Sequence, residues 1–328
     1  MTSTLSLTEL ADGVYAWLQP GGESGVSNAG VVVEDDGITV IDTLMVRSQW
    51  VPFAAAVNEL GLPVRRAVLT HAHIDHCGGT KAFDRAAVYG SQQTSDVLDS
   101  EMPIDGYKAF MPAFEDEFDD LQELGTRGVT HIVTGPAQLT RRVELLPAEG
   151  HTEGDIIVLV ADADICFAGD ICFFGVTPLA FQGNPAVWSE MLDAVADLAG
   201  IIVPGHGPVG AEPEVRELQA YLRACVDADG DVNAIPPGPW DTWLERERDA
   251  INVERAALLA RGDDTSHSRC SRRSARPKSV PRTSSRYLLA RPAEAMWQRT
   301  PTRRSNSRRP RASRARSTTG RRCSTSVS

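Results

Sequence analysis

Thr70-His71-Ala72-His73-Ile74-Asp75-His76-Cys77-Gly78-Gly79 is the stretch from which the rest of the chain can be read. Four potential metal ligands fall within six positions, directly after the apolar run Ala67-Val68-Leu69 and directly before a glycine pair. A loop leaving a buried strand can turn its side chains toward one point, because the strand is a rigid platform. Imidazole and carboxylate together suit Zn²⁺, with Fe or Mn as other occupants. The bland alternative is a polar turn rich in histidine, yet three of the chain's seven histidines stand here.

Working outward toward the N-terminus, residues 66–69 read as the strand that feeds this loop. Before it, residues 48–60 read as a helix, with Trp50, Phe53, Ala54, Val57 and Leu60 at helical spacing and Gly61 as its stop. Residues 14–18 read as a first strand. Residues 29–33 and 38–41 read as a hairpin turning at Asp35-Asp36-Gly37, which leaves Asp42 at the strand's mouth.

Toward the C-terminus, residues 86–89 read as a strand and 91–98 as a short helix. Residues 101–130, with the acidic run from Glu115 to Asp120, read as a solvated helical insert or lid. Three strands follow at 143–146, 156–160 and 165–168, each a short Ile, Val or Leu run bounded by turn residues. A helix at 187–198, a strand at 201–203, a helix at 212–225 and, after Pro236-Pro237-Gly238-Pro239, a helix at 240–259 complete the pattern. Two β-rich halves flanked by helices imply a layered α/β architecture with ligands at strand ends.

The totals set bounds on function. A chain of 328 residues with 42% hydrophobic content can bury a large core. No apolar run approaches the roughly 20 residues that span a bilayer, and residues 1–10 lack the basic and apolar regions of a secretory signal. Six cysteines without regular spacing fit reduced thiols in a cytoplasm. The net charge of −11 hides two unlike parts. Residues 262–328 carry 17 Arg and one Lys against three acidic residues, which leaves −26 for residues 1–261. A folded domain is therefore expected over 1–261, followed by a disordered Arg/Ser-rich tail over 262–328.

Three more single residues extend the opening motif, each at the end of an expected strand: His151 in Gly150-His151-Thr152, Asp170 in Gly169-Asp170, and His206 in Pro204-Gly205-His206-Gly207-Pro208. With His71-x-His73-x-Asp75-His76 they form a pattern, over roughly residues 10–225, that resembles the metallo-β-lactamase-fold superfamily of hydrolases. The resemblance implies a four-layer αββα sandwich with a dinuclear metal site, two zinc ions being the expectation. It implies His71, His73 and His151 on one metal, Asp75, His76 and His206 on the other, Asp170 bridging, and Asp42 supporting the ligand loop. Cys77 is not expected to be a ligand, and Cys166 and Cys172 are expected in the core.

Three neutral imidazoles leave an open coordination position, which marks a catalytic rather than a closed structural site. The expected nucleophile is a metal-bridging hydroxide, oriented by Asp75, which also handles its proton. Between Arg142 and Arg216 there is no Lys or Arg, although three of the seven expected ligands lie there. An anionic substrate tail needs a cationic anchor, which here could come only from elsewhere, for example Arg47, Lys81 or Arg85. Ile171, Phe173, Phe174, Val176, Pro178, Leu179 and Phe181 could line an apolar pocket beside the metals or belong to the core.

The expected partner is thus a small acyl molecule: an ester, thioester or lactone. The alternatives are a β-lactamase, a nuclease or phosphodiesterase, and a non-catalytic binding protein that keeps the fold. A body at −26 repels a polyanion unless the basic tail compensates, so no nucleic-acid partner is expected.

Overall fold

The computed structural model describes residues 5–263. Sequence runs rich in β-branched residues pair into two sheets. The first has seven strands in sequence order: β1 (Leu7–Ala11), β2 (Val14–Trp17), β3 (Ala29–Glu34), β4 (Gly37–Ile41), β5 (Val64–Val68), β6 (Ala87–Gly90) and β7 (His131–Ile132). The second runs β12-β11-β10-β9-β8 and comprises β8 (Ala137–Gln138), β9 (Val143–Ala148), β10 (Asp155–Val160), β11 (Ile165–Phe173) and β12 (Ile201–His206). The helices are α1 (Arg47–Glu59), α2 (Ile74–Cys77), α3 (Gln92–Leu98), α4 (Ile104–Phe110), α5 (Phe118–Leu124), α6 (Pro185–Ala196), α7 (Glu212–Asp227) and α8 (Asp249–Ala260).

The inner faces of the two sheets share one core. Val14, Val32, Ile41 and Val68 from the first pack with Val143, Leu145, Ile156, Val158, Phe167 and Val203 from the second. Alternation along β3 and β4 sends Val31, Ile38 and Val40 to the opposite face, where Phe53 and Val57 of α1 cover them. There Phe53 lies 5.6 Å from the Trp17 ring and 5.9 Å from Phe83, so truncating it to Ala should cost about 3–5 kcal/mol. On the far side α6 and α7 pack on β11, and the Trp188 indole N–H donates to Ile171 O at 2.9 Å. Helix, sheet, sheet, helix is the four-layer αββα sandwich.

Crossovers decide where strand ends gather. Strands β1 to β4 are antiparallel, but β4 to β5 and β5 to β6 are parallel, joined through α1 and through the loop that carries the histidine motif. In the second sheet β11 and β12 are parallel across α6. The C-terminal ends of β4, β5, β11 and β12 therefore meet along one edge of the sandwich.

Some expectations need correction. Strands β1, β7 and β8 were not expected; β7 and β8 have two residues each, too few to show alternation. Strand β11 continues through Asp170 to Phe173 instead of stopping at Ala168. The helix expected over 240–259 begins only at Asp249. Leu244 is instead drawn into β-like pairing, its N–H donating to Gly175 O and its carbonyl accepting from Thr177 N, both at 3.0 Å. Glu245 then turns through the left-handed region at φ 56. The acidic run forms helical turns of the insert, where Glu117 accepts from Ser48 N and Oγ at the start of α1, and Asp119 pairs with Lys108. Among the described residues no helix is long and apolar enough to cross a membrane. The tail expected to be disordered lies outside the described residues from 264 onward.

Candidate metal centre

Strand β4 ends at Ile41, and Asp42 next to it takes the left-handed conformation at φ 57. Such a backbone is costly for a residue with a side chain and persists where surroundings dictate it. Here it aims the Asp42 carboxylate across to the motif. One oxygen accepts from Thr70 N at 2.8 Å; the other accepts from Thr70 Oγ1 and His76 Nδ1, both at 2.8 Å. Thr70 Oγ1 in turn lies 3.1 Å from His71 Nδ1. One buried carboxylate thus fixes two imidazoles with their Nε2 atoms facing inward.

The motif then closes into α2, a single turn. Thr43 N–H donates to His76 O at 2.7 Å, and Ser27 Oγ donates to Asp75 O at 2.6 Å. These bonds hold the turn against the first sheet.

The second sheet supplies the other three residues. His151 lies between β9 and β10, in a loop organised by Asp155, which accepts from His151 N, Thr152 N and Thr152 Oγ1 at 3.0, 2.9 and 2.6 Å. Burial pushes the Asp155 carboxyl up to about 7. Asp170 stands inside β11, where the register with β12 shifts around Gly169. His206 ends β12. Its neighbour Gly205 presses so closely on Asp170 that any Cβ there would collide with the carboxylate. Gly22, at φ +90, brings its carbonyl to 3.0 Å from His206 Nδ1.

All seven side chains converge. They form two groups whose donor atoms lie within 4.8 Å of one another and which could each hold a metal ion: His71, His73, His151 and Asp170, and Asp75, His76 and His206. His73 Nδ1 is 2.9 Å from His151 Nε2. Asp170 lies between the groups, one oxygen 3.2 Å from His151 Nε2 and the other 3.0 Å from His76 Nε2. Asp75 is 3.2 Å from His206 Nε2.

Although His76 Nε2 and Asp170 Oδ1 are that close, neither has a hydrogen-bond partner, and neither does His71 Nε2. All three atoms lie among the facing donor atoms of the two groups. Buried polar atoms left unpaired are costly, and a cation would satisfy them together. The donor set of imidazoles and carboxylates fits a divalent metal.

The electrostatics of the two groups differ. Burial, helped by His76, holds His71 well below its ordinary value; burial also lowers His73 and takes His151 to about 3. Burial acts the same way on His76 and His206, but there carboxylates outweigh it. Asp170, Asp42 and Asp75 raise His76 well above its ordinary value, and Asp170 and Asp75 raise His206. Burial alone would raise Asp75 and Asp170, yet the surrounding histidines hold both carboxyls below the usual range.

Residues outside the seven fall into place around them. Cys77 is buried in neither group, its thiol donating to Ala72 O and His73 O. Cys166 and Cys172 are buried in the core. His131 is exposed and stacks on Tyr89, while His267 lies outside the described residues. Of the seven apolar residues after Asp170, only Phe181 reaches the surface, 41% exposed and stacked on His73 at 5.6 Å. The other six are buried, so of the two alternatives the core holds for these six and one ring is left beside the site. Arg47, Lys81 and Arg85 are exposed and belong to neither group.

Several contributors were not anticipated. Gln182 Oε1 meets His73 Nε2 at 2.7 Å, Asn28 Nδ2 donates to Pro204 O and Gly207 O, and Arg248 and Arg255 are buried beside the site loops. A hydrogen bond spanning 109 residues, as between His73 and Gln182, leaves no local sequence pattern.

An imidazole and carboxylate cluster at the edge of two facing sheets defines a metal-binding hydrolase scaffold. The chain belongs to the metallo-beta-lactamase superfamily, whose sequence model matches residues 22–206. It is 28% identical over 222 residues to metallo-beta-lactamase type 2 of Bacillus cereus, covering 64% of this chain and 79% of that one. It is 30% identical over 153 residues to hydroxyacylglutathione hydrolase of Albidiferax ferrireducens, covering 45% of this chain and 49%, about half, of that one. The fold is shared with the metallo-beta-lactamase FIM-1 from Pseudomonas aeruginosa in its mono-zinc form. There the TM-score is 0.53 and the identity 20%, over 71% of this chain and 98% of that one.

Proposed function

We propose that this superfamily hydrolase cleaves a neutral or weakly charged acyl substrate, an ester, thioester or lactone, with two divalent ions bound. Zinc is the first candidate, with iron or manganese as others. The observation that carries the reading is that His71 Nε2, His76 Nε2 and Asp170 Oδ1 are buried together without hydrogen-bond partners. His71, His73 and His151 would hold one ion and Asp75, His76 and His206 the other, with Asp170 shared. Bound there, such ions supply water that is deprotonated near neutral pH and a Lewis acid for the acyl oxygen.

The chain's own residues do the rest. Asp75, its side chain 13% exposed against 4% for Asp170 and Asp42, is the one of these three carboxylates nearest solvent and serves as proton acceptor and relay. His73 and Phe181 form the accessible rim, where an apolar acyl or leaving group would rest. The buried arginines are turned onto the protein itself. Arg248 donates to Thr177 O and Ser24 Oγ and pairs with Glu245, and Arg255 donates to Gly183 O. A phosphodiester would lack a cationic anchor from this quarter, which favours acyl chemistry.

The relatives support two acyl classes. The name hydroxyacylglutathione hydrolase describes thioester cleavage, and the Bacillus cereus relative, matched over more of its length, keeps β-lactam hydrolysis as the second reading. The four described cysteines are free and buried, in keeping with the cytoplasmic setting proposed for a small-molecule hydrolase.

The test is metal analysis of the purified protein followed by a panel of ester, thioester, lactone, β-lactam and phosphodiester substrates. The expected result is about two transition-metal ions per chain and turnover confined to acyl compounds. Fewer than about one ion per chain, with no gain on adding Zn²⁺ or Mn²⁺, would overturn the hydrolase reading; turnover of phosphodiesters alone would overturn the substrate class.

A further inference from the structure

Helix α8 lies beyond residues 22–206, which match the family, and carries an unusual face. Arg248, immediately before it, and Asn252 and Arg255 within it stand at i, i+4 and i+7, so they form one stripe. All three are buried, at 6%, 0% and 5% exposure. A helix stripe turned inward is ordinarily apolar; this one meets backbone. Arg248 donates to Thr177 O at 2.6 Å, Asn252 donates to Pro178 O and accepts from Ala180 N, both at 2.8 Å, and Arg255 donates to Gly183 O at 2.9 Å.

The loop held in this way, residues 177–184, is also fixed from the other side. Asn184 N donates to Gly150 O at 3.1 Å, and Gly183 sits against the Gly150 and His151 carbonyls with no room for a Cβ. At the loop's tip are Phe181, stacked on the His73 ring with an interplanar angle of 14°, and Gln182, whose Oε1 is 2.7 Å from His73 Nε2.

We propose that Phe181 and Gln182 form a clamp that positions His73, and that the Arg248, Asn252 and Arg255 stripe holds the clamp in place. This rests on the metal-site reading above. A carboxamide oxygen can only accept, so it selects the tautomer with a proton on Nε2 and leaves the Nδ1 lone pair facing His151 Nε2, 2.9 Å away. Phe181 restricts rotation of the ring from its face. His73 differs from His71 and His76 in this respect, for their outer nitrogens are fixed by Thr70 and Asp42 from the first sheet. Its orientation depends instead on a loop of the second half and on a helix outside the matched region.

The test uses the full chain, with Zn²⁺ affinity measured at each site by competition with a chromophoric chelator. Partner residues of this type typically change metal affinity 10–100-fold when removed. Gln182→Ala should weaken one of the two sites by about 10–100-fold and leave the other unchanged, and Gln182→Glu, which restores an acceptor, should recover most of the loss. Asn252→Asp, which keeps the acceptor for Ala180 N but loses the donor to Pro178 O and Tyr221 Oη, should move the same site by a smaller factor. Circular dichroism confirms that each variant is folded. Wild-type protein binding two ions, with Gln182→Ala binding both as tightly, would overturn the clamp alone. Wild-type protein binding none would overturn the metal-site reading and the clamp with it. If Gln182→Glu were as weak as Gln182→Ala, acceptance from His73 would not be what Gln182 does.

Discussion

The His71, His73 and His151 group and the Asp75, His76 and His206 group occupy the same edge of the sandwich, share Asp170, and yet are prepared in opposite ways. Burial keeps the first group's imidazoles neutral, with His151 taken down to about 3. In the second group burial is outweighed by Asp170, Asp42 and Asp75, so His76 and His206 hold their protons above the ordinary range. A metal must find deprotonated ligands. The first group would present them ready-made, whereas the second would have to release protons to take up an ion. Location in a buried centre therefore says little about a histidine's charge; the number of carboxylates within reach decides it.

The largest expected effect comes from removing the carboxylate that serves the second group and also faces solvent. Asp75→Ala should lower turnover on the order of 10²–10⁴-fold, the range for loss of a proton-handling side chain, and steady-state kinetics on the best acyl substrate measure it. Turnover within a few-fold of wild type would remove Asp75 from the chemistry. Next, Asp42→Asn disturbs a partner of the second group. It should weaken one site by about 10–100-fold, read by Zn²⁺ competition, while the His71, His73 and His151 site changes less because Asp42 reaches it only through Thr70. Equal weakening of both sites would erase the distinction between the groups.

Acidification gives a third, smaller separation. Raised values at His76 and His206 mean that protons compete for them at higher pH, whereas lowered values at His71, His73 and His151 keep those ligands free further into acid. Dialysis at stepped pH followed by metal analysis should show one ion leaving well before the other, with single-histidine variants assigning the early loss to the second group. Simultaneous loss would contradict the comparison. The smallest expected effect is that of deleting residues 264–328, which follow the last of the seven converging residues, His206, in the sequence; kcat/KM should stay within about twofold, taking a surface-scale effect of ±0.5 kcal/mol as the guide.

Much of this was legible beforehand, for physical reasons. The Ala29–Glu34 and Gly37–Ile41 hairpin announces itself through β-branched runs around Asp35-Asp36-Gly37, and α1 through its period and Gly61. The residues that converge carry their chemistry in their side chains and stand close to glycines in sequence, so their types could be read one by one. What could not be read was support supplied by backbone. Carbonyls of Gly22, Thr177, Pro178 and Gly183 have no sequence signature, and their partners lie 71 to 184 residues away. The late start of α8 has the same origin, since Leu244 is captured by Gly175 and Thr177. The apolar run after Asp170 was ambiguous because a strand buried on both faces and a pocket wall have the same composition.

The stripe on α8 also has a bearing on synthesis. Every converging side chain has been made once His206 is added, yet Glu245, which accepts from Ser24, and Arg248, Asn252 and Arg255 come later. At about 5–20 residues per second the ribosome needs roughly 2–10 s to reach Arg255. For that interval the nascent chain carries all seven converging residues while the loop that bears Phe181 and Gln182 lacks its last anchors. In the order of synthesis, the clamp proposed for His73 is thus the last part of the centre to gain its supports.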